Sequence, residues 1–470
     1  MAPAKQKACA HQTVLIDASD YGRRTAGFER VPVDKRIAAT TRSGRVADGS
    51  ASSPSGPAAP DAPTFPGPLV LPDDELALHP RYPPQSLRSW INGGYRNPIT
   101  HDRKTLYVAD VPRIDDSAEF MREWAEPDVE DLVDPAEFPR LEHPDTADLM
   151  RYLAAFYHPL EVKLLPTPMR FVRWEAGGKA DMDMVGLATG DRTVVGVRAR
   201  PSKDEIARLQ LNLSDSLDAL MGVVPRDAYA CVLLVAQDLY EDEEDDFCCG
   251  RAFGGSRISV VSSFRYRPVL DLAFGVEVGH MWPLAHCARF VEGFCEEFER
   301  ENGEEGGGKR NRGGRVVSDG EAVLDLKKKP HTALGAAINA AKKVVVPKTK
   351  EDQRGLWFSR VARTAAHELG HCFGMDHCVY YACVMQGTAG LGEDARQPPY
   401  LCPVCEARVV YGLGEMGVVE GGKGGRWVEG RQREVERERM EVMRAFCEGW
   451  KGVGMFAGYW GWLEERLKTT

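Results

Sequence analysis

The stretch "TAAHELGHCFGMDHCVYYACVMQG", residues 364–387, gathers three histidines, one glutamate and three cysteines in a chain with only 11 histidines among 470 residues. On a helix, His367 and His371 are four apart and share one face, with Glu368 beside them. Ala362, Ala365, Leu369 and Phe373 fall on the roughly opposite face, the one a core would cover. These histidines are therefore not simply residues of a packed core helix. Two imidazoles one turn apart can chelate a single Zn²⁺, and the carboxylate between them can contact a metal-bound water. Gly374 can adopt the left-handed conformation that ends helices, so the chain can double back and bring His377 in as third ligand. Three neutral nitrogen ligands leave a fourth position open for water, the arrangement of a catalytic zinc. Such a metal activates water and polarises a carbonyl. Glu368 is then the expected general base, passing the proton on to a leaving amine. The chemistry expected of H-E-x-x-H-x-x-G-x-x-H is amide hydrolysis.

A second set of ligands follows at once. Cys378, Cys383, Cys402 and Cys405 read C-x₄-C-x₁₈-C-x₂-C and end in "CPVC". Four thiols at this spacing predict a closed, tetrahedral structural zinc site, so the chain is expected to carry two Zn²⁺, one catalytic and one structural. A disulfide pairing is the alternative, disfavoured because the N-terminus "MAPAKQKACAHQTVLIDASD" has no apolar signal core. The cysteine site would tie the loop carrying His377 to the downstream chain. Met385 lies between the two cysteine pairs and could floor the histidines, although a methionine there is more often ordinary core.

The full histidine motif followed directly by Cys, then by C-x-M and C-P-x-C, resembles the archaemetzincin family of metzincin zinc peptidases. The resemblance implies that His367, His371 and His377 bind the catalytic zinc, that Glu368 is the catalytic base, and that Met385 is the Met-turn methionine. It implies a second zinc on Cys378, Cys383, Cys402 and Cys405. It covers roughly residues 143–470, including "LMRYLAAFYHPLEVKLLP" and "DAYACVLLVAQDLYEDEEDDF". The implied fold is α+β: a zincin-like catalytic domain with a mixed twisted sheet, an active-site helix and a zinc-stapled C-terminal helical subdomain. Metzincins hold extended substrate as an added strand, and "SRISVV" (Ser256, Arg257, Ile258, Ser259, Val260, Val261) is the candidate edge. It could equally be a plain sheet strand.

These residues need elements to position them. Residues 1–70 are rich in Pro, Ala, Ser and Gly and predict disorder. Residues 71–142 are mixed and predict a partly ordered surface extension, with "KTLYVADVP" among its ordered pieces. From residue 143 the pattern sharpens: a helix at "TADLMRYLAAFYH", a strand at "LEVKLLP", a helix opening at Ser202, and a buried strand at "AYACVLLVAQDLY". "HCARFVEGFCEEFER" and the C-terminal "RQREVERERMEVMRAFCEGW" predict further helices. Residues 303–350 carry 11 Lys or Arg against five acidic residues and predict a solvated insertion, with a basic docking patch as the sharper alternative. The resemblance assigns no counterpart to this insertion or to the first 142 residues.

The net charge of −10 argues against nucleic-acid binding, and the absence of a long apolar run predicts no membrane span. The expected protein is a monomeric cytoplasmic or nuclear enzyme acting on peptides or proteins. A two-zinc binding or scaffold protein with little hydrolysis is the alternative, and the carboxylate of Glu368, which a structural site does not need, favours the enzyme. Cys9, beside His11, reads as a free thiol in a flexible tail; a cysteine capping the open zinc position is the other reading. The run "EDEEDD" reads as a solvated loop, and Cys248 and Cys249 as small packed side chains.

Overall fold

The computed structural model describes residues 9–46, 63–129, 138–176, 179–190, 193–302, 323–329, 331–344, 346–414 and 429–469. At its centre is a five-stranded sheet built from β1 (Thr105–Ala109), β2 (Glu161–Leu164), β3 (Ala228–Val235), β4 (Gly250–Phe253) and β5 (Ile258–Ser262), in the spatial order β4-β5-β3-β1-β2. Four strands run parallel, and β4 lies antiparallel at one edge. All eight residues of β3 are buried, as its unbroken apolar run requires of a strand covered on both faces. Ala230, Val232 and Leu234 point into one core, and Cys231, Leu233 and Val235 into another.

The first core is covered by helices. Those used below are α1 (Thr146–Phe156), α2 (Leu213–Met221), α3 (Ala333–Ala341), α4 (Lys350–Cys372), α5 (Pro403–Gly414), α6 (Glu429–Glu448) and α7 (Gly454–Arg466). Helix α4 crosses the sheet, with Val361, Ala362, Ala365, Leu369 and Phe373 in the shared core. It starts at a reciprocal cap, in which Thr349 Oγ1 accepts from the Asp352 N–H at 3.1 Å and Asp352 Oδ2 accepts from the Thr349 N–H at 3.2 Å. The second core lies between the sheet and a six-stranded sheet (Asp238–Tyr240, Gln210–Asn212, Val194–Arg200, Lys179–Ala188, Arg170–Ala176, Arg113–Ile114), with α2 contributing Leu213, Leu217 and Leu220. The fold is α+β with mixed sheets, as expected.

Several boundaries differ from those expected. The division at residue 143 does not stand, because β1 comes from the supposed surface extension and pairs between β3 and β2. Its five residues are too short a run to announce their burial. Of the segment expected to be disordered, residues 1–8 and 47–62 lie outside the described residues. Residues 9–46 and 63–70 are folded in: Thr13–Leu15 pairs with Val323–Asp325, and Phe65, Leu69 and Val70 are buried. Much of the expected insertion, 303–322 together with 330 and 345, also lies outside the described residues. Its remainder is structural, since α3 packs tightly on α7: a Cβ at Gly461 would come within 2.7 Å of Ala336 O.

The helix expected from Ser202 begins instead at Leu213, where Asn212 Oδ1 caps the Asp215 N–H at 3.1 Å. The acidic residues after Ser202 belong to a turn.

The expected edge strand is also corrected. Ile258, Ser259, Val260 and Val261 form β5, which is paired on both sides, while Ser256 ends a 3₁₀ turn and Arg257 is left-handed at φ 59°. Fully buried apolar residues mark an interior strand, and the edge is the half-exposed "GRAF" of β4. Among the described residues no helix is long and apolar enough to cross a membrane.

Candidate functional site

His367 and His371 occupy the last two turns of α4, and Gly374, at φ +79°, reverses the chain behind them. A side chain at Gly374 would also collide with the backbone, its Cβ 2.6 Å from Tyr95 O. The reversal brings His377 back, and the free ring nitrogens of His367, His371 and His377 all lie within 4.8 Å of one another. Nδ1 of His367 is 2.7 Å from Val384 O, and Nδ1 of His371 is 2.6 Å from Met375 O. A carbonyl only accepts, so both rings carry their proton on Nδ1 and turn an Nε2 lone pair inward. Those two Nε2 atoms stand 3.0 Å apart. Burial holds His371 and His377 down at about 4, and burial with the two neighbouring imidazoles holds His367 well below the usual range. All three are therefore neutral near pH 7, the state in which imidazole ligates metal. The donor set and its supports fit a zinc ion.

Glu368 is buried beside them and touches the edge strand: a Cβ at Gly250 would lie 3.1 Å from its Oε1. Burial pushes its carboxyl up to about 8, with Arg251 pulling the other way. A carboxyl so placed can accept and release a proton near neutral pH. Met385 lies under α4, where a Cβ at Gly370 would strike its sulfur.

The end of α4 depends on residues that motif reading passes over. The carbonyls of Cys372, Phe373 and Gly374 accept in turn from Asn97 Nδ2 at 3.0 Å, Trp90 Nε1 at 3.0 Å and Gln85 Nε2 at 3.1 Å. A helix leaves its last carbonyls without partners, and here one segment of 13 residues, 85–97, supplies three of them. Gln85 also accepts from the Asp376 N–H at 3.1 Å, and the Tyr82 ring lies 5.7 Å from that of His377. The alternating aromatic and amide residues of this segment are the only sequence signal, and it is a weak one.

Cys378, Cys383, Cys402 and Cys405 are all buried, with their sulfurs within 4.8 Å of one another. Arg408, on α5 and fully buried, donates to Cys405 Sγ at 3.1 Å and to Gln85 Oε1. The Cys402 N–H points at Cys383 Sγ, 3.2 Å away. Burial opposes ionisation of Cys378, but hydrogen bonds from the other three thiols and the Arg408 charge hold it well below the usual range. A buried guanidinium beside four sulfurs suits a site that is net negative with a divalent ion in place. The two centres are joined by the backbone: the Cys378 N–H donates to Met385 O at 2.7 Å, and Val384, which holds His367, sits between Cys383 and Met385.

The family model of Peptidase family M54 matches residues 324–410, which hold the three histidines, Glu368 and the four cysteines. Archaemetzincin-2 of Homo sapiens is 22% identical over 351 residues, covering 74% of this chain and 70% of that protein. Archaemetzincin of Aeropyrum pernix is 35% identical over 86 residues, 18% of this chain and 44% of that one. Among solved structures, archaemetzincin from Methanopyrus kandleri is similar over 67% of this chain and 97% of that chain, with 16% identity and a TM-score of 0.31. Over residues 324–410 the chain is thus similar to Peptidase family M54, and the relatives it matches across most of its length are archaemetzincins.

Proposed function

We propose that this protein hydrolyses peptide bonds at the His367–His371–His377 centre, with Glu368 as proton carrier. The observation that carries the proposal is the convergence of three neutral imidazoles, two held by backbone carbonyls, beside a buried carboxyl. Zinc held by these nitrogens supplies a water of lowered pKa and a Lewis acid for the scissile carbonyl. Glu368 takes the proton from the attacking water and delivers it to the departing amine nitrogen. Its contact with Gly250 sets the substrate's path along β4, whose outer side is unpaired among the described residues. An extended peptide adds to that edge through its backbone and so passes directly over Glu368. Cys378, Cys383, Cys402 and Cys405 hold a second, structural zinc, which keeps the loop of His377 and the carbonyl of Val384 in place.

The test compares wild-type protein and Glu368→Ala on a diverse peptide library read by mass spectrometry, with zinc content measured on both. Cleavage should fall by roughly 10²–10⁴-fold in the variant while zinc is retained, the size expected when a general base is removed. Equal cleavage by both proteins would end the assignment of Glu368. No cleavage by either zinc-loaded protein would end the assignment of hydrolysis.

A further inference from the structure

A third group of metal-binding side chains lies in a part of the molecule distinct from both centres above. Cys9, His11 and His280 each offer a ligand atom, and these atoms lie within 4.8 Å of one another. A fourth thiol stands next to this trio but not within that distance of all three: Cys287 Sγ is 3.3 Å from Cys9 Sγ, and both thiols are free. The residues come from two stretches far apart in sequence. Cys9 and His11 precede the strand Thr13–Leu15, His280 ends a 3₁₀ turn, and Cys287 follows another. An isolated bridge between Val14 and Cys287 fixes how the two segments lie.

The two imidazoles are prepared in the manner of ligands. His11 is only 7% exposed; its Nε2 is 3.2 Å from Gly279 O, and its Nδ1 is buried with no hydrogen-bond partner among the described residues. His280 is the mirror case: its Nδ1 is 2.8 Å from Glu277 Oε2, and its buried Nε2 faces the Cys9 thiol without a well-formed hydrogen bond. Each ring thus gives one nitrogen to an outer acceptor and leaves the other unused, the arrangement that fixes a tautomer for metal binding. Stacking on Phe290, with centroids 4.2 Å apart and planes at 12°, holds the His280 ring, and the His11 ring lies 5.2 Å away. His11 also adopts φ 46°, a left-handed backbone that a residue with a side chain takes at a cost. Buried nitrogens without partners are expensive, and two of them facing a pair of thiols share one remedy.

From this geometry we infer that Cys9, His11, His280 and Cys287 form a third metal site, a Cys₂His₂ centre for zinc or a similar thiophilic divalent ion. Two thiols and two imidazoles are a tetrahedral set whose donors stand roughly 3.3–3.8 Å apart when bonds are about 2.0–2.3 Å. With four protein ligands the site is closed and structural. It fastens the N-terminal chain, which continues into the Thr13–Leu15 strand, onto the body of the enzyme. Cys9 therefore does not cap the catalytic zinc, and it is not a thiol in a free tail.

The experiment uses full-length protein purified under reducing conditions, with zinc and protein quantified together. Wild type should hold three equivalents, and His280→Ala and His11→Ala should each hold one fewer while keeping peptidase activity in the presence of zinc. Glu368→Ala should still hold three, which separates this site from the catalytic proposal. A second measurement needs no variant: Cys9 and Cys287 should resist alkylation in the zinc-loaded protein and react after chelation. Two equivalents in wild type, unchanged in His280→Ala, would overturn the proposal. So would Cys9 and Cys287 alkylating at one rate with and without chelator, or both remaining blocked until a reductant is added, which would make them a disulfide.

Discussion

His377 is the ligand with the least support from its own element, since it follows a glycine turn rather than riding on α4. Its ring is held between Tyr82 on one side and Gly387 on the other: a Cβ at Gly387 would come within 2.6 Å of His377 Nδ1. Gly387→Ala should therefore push the imidazole out of line. The expected outcome is loss of one zinc equivalent and of nearly all cleavage, with the four-cysteine zinc retained, as metal analysis and a peptide assay would report. Retained zinc and activity would show that the loop shifts to accept the methyl. At this scale the sequence was informative where chemistry fixes the residue type. Imidazole and thiol ligands, and the carboxylate between them, are visible at their spacing. What orients them was not. Val384 and Met375 contribute only carbonyls, which any residue owns, and Arg408 and Gln85 become partners of the cysteine cluster through folding alone.

The edge strand β4 carries the argument at the scale of elements. Cys249 O accepts from the Ser262 N–H at 2.8 Å, and the antiparallel register continues with Arg251 opposite Val260 and Phe253 opposite Ile258. Hydrogen-bonded pairs alternate along such a ladder, so Gly250 and Ala252 direct their N–H and C=O groups to the open side. Ala252→Pro removes one outward donor without breaking an internal bond, the one placement a sheet tolerates. Its expected effect is a several-fold rise in KM for extended peptides, with the melting temperature little changed. An unaltered KM would move the substrate off this edge. The sequence suggested the wrong strand because burial and alternation identify a strand's interior, whereas an edge is defined by what is missing beside it. The interior place of β1 escapes sequence reading for a different reason, the shortness of its run, and the acidic residues after Ser202 imitate a first helical turn.

For the whole molecule, the catalytic motif is a small part of what must hold together. The segment 85–97 closes the end of α4, β1 lies inside the sheet, and residues 63–70 pack beneath the region of Met385, where the Ala382 N–H donates to Pro66 O at 3.0 Å. Composition near the N-terminus gave little hint of this, because a proline-rich strap buried against a finished core has no periodicity of its own.

Such a body should also respond to acid as a unit. His143 links three elements: its Nε2 is 2.8 Å from Ser263 Oγ at the end of β5, its ring meets Trp357 of α4 at 5.4 Å, and its Nδ1 is 2.8 Å from Pro144 O just before α1. Burial lowers its pKa to about 4, and of the charges facing it Arg267 and Arg354 oppose protonation while Asp110 favours it. In the unfolded chain the same ring titrates near 6.5. Between these values the unfolded state binds a proton that the folded state refuses, so stability is full above about pH 6.5 and falls as pH drops toward 4. The loss attributable to His143 is on the order of 2–3 kcal/mol. His143→Gln keeps a polar partner for Ser263 but does not titrate. Urea midpoints measured from pH 7 to 4.5 should therefore fall more steeply for wild type than for the variant. Parallel curves would mean that the acid response belongs to other groups.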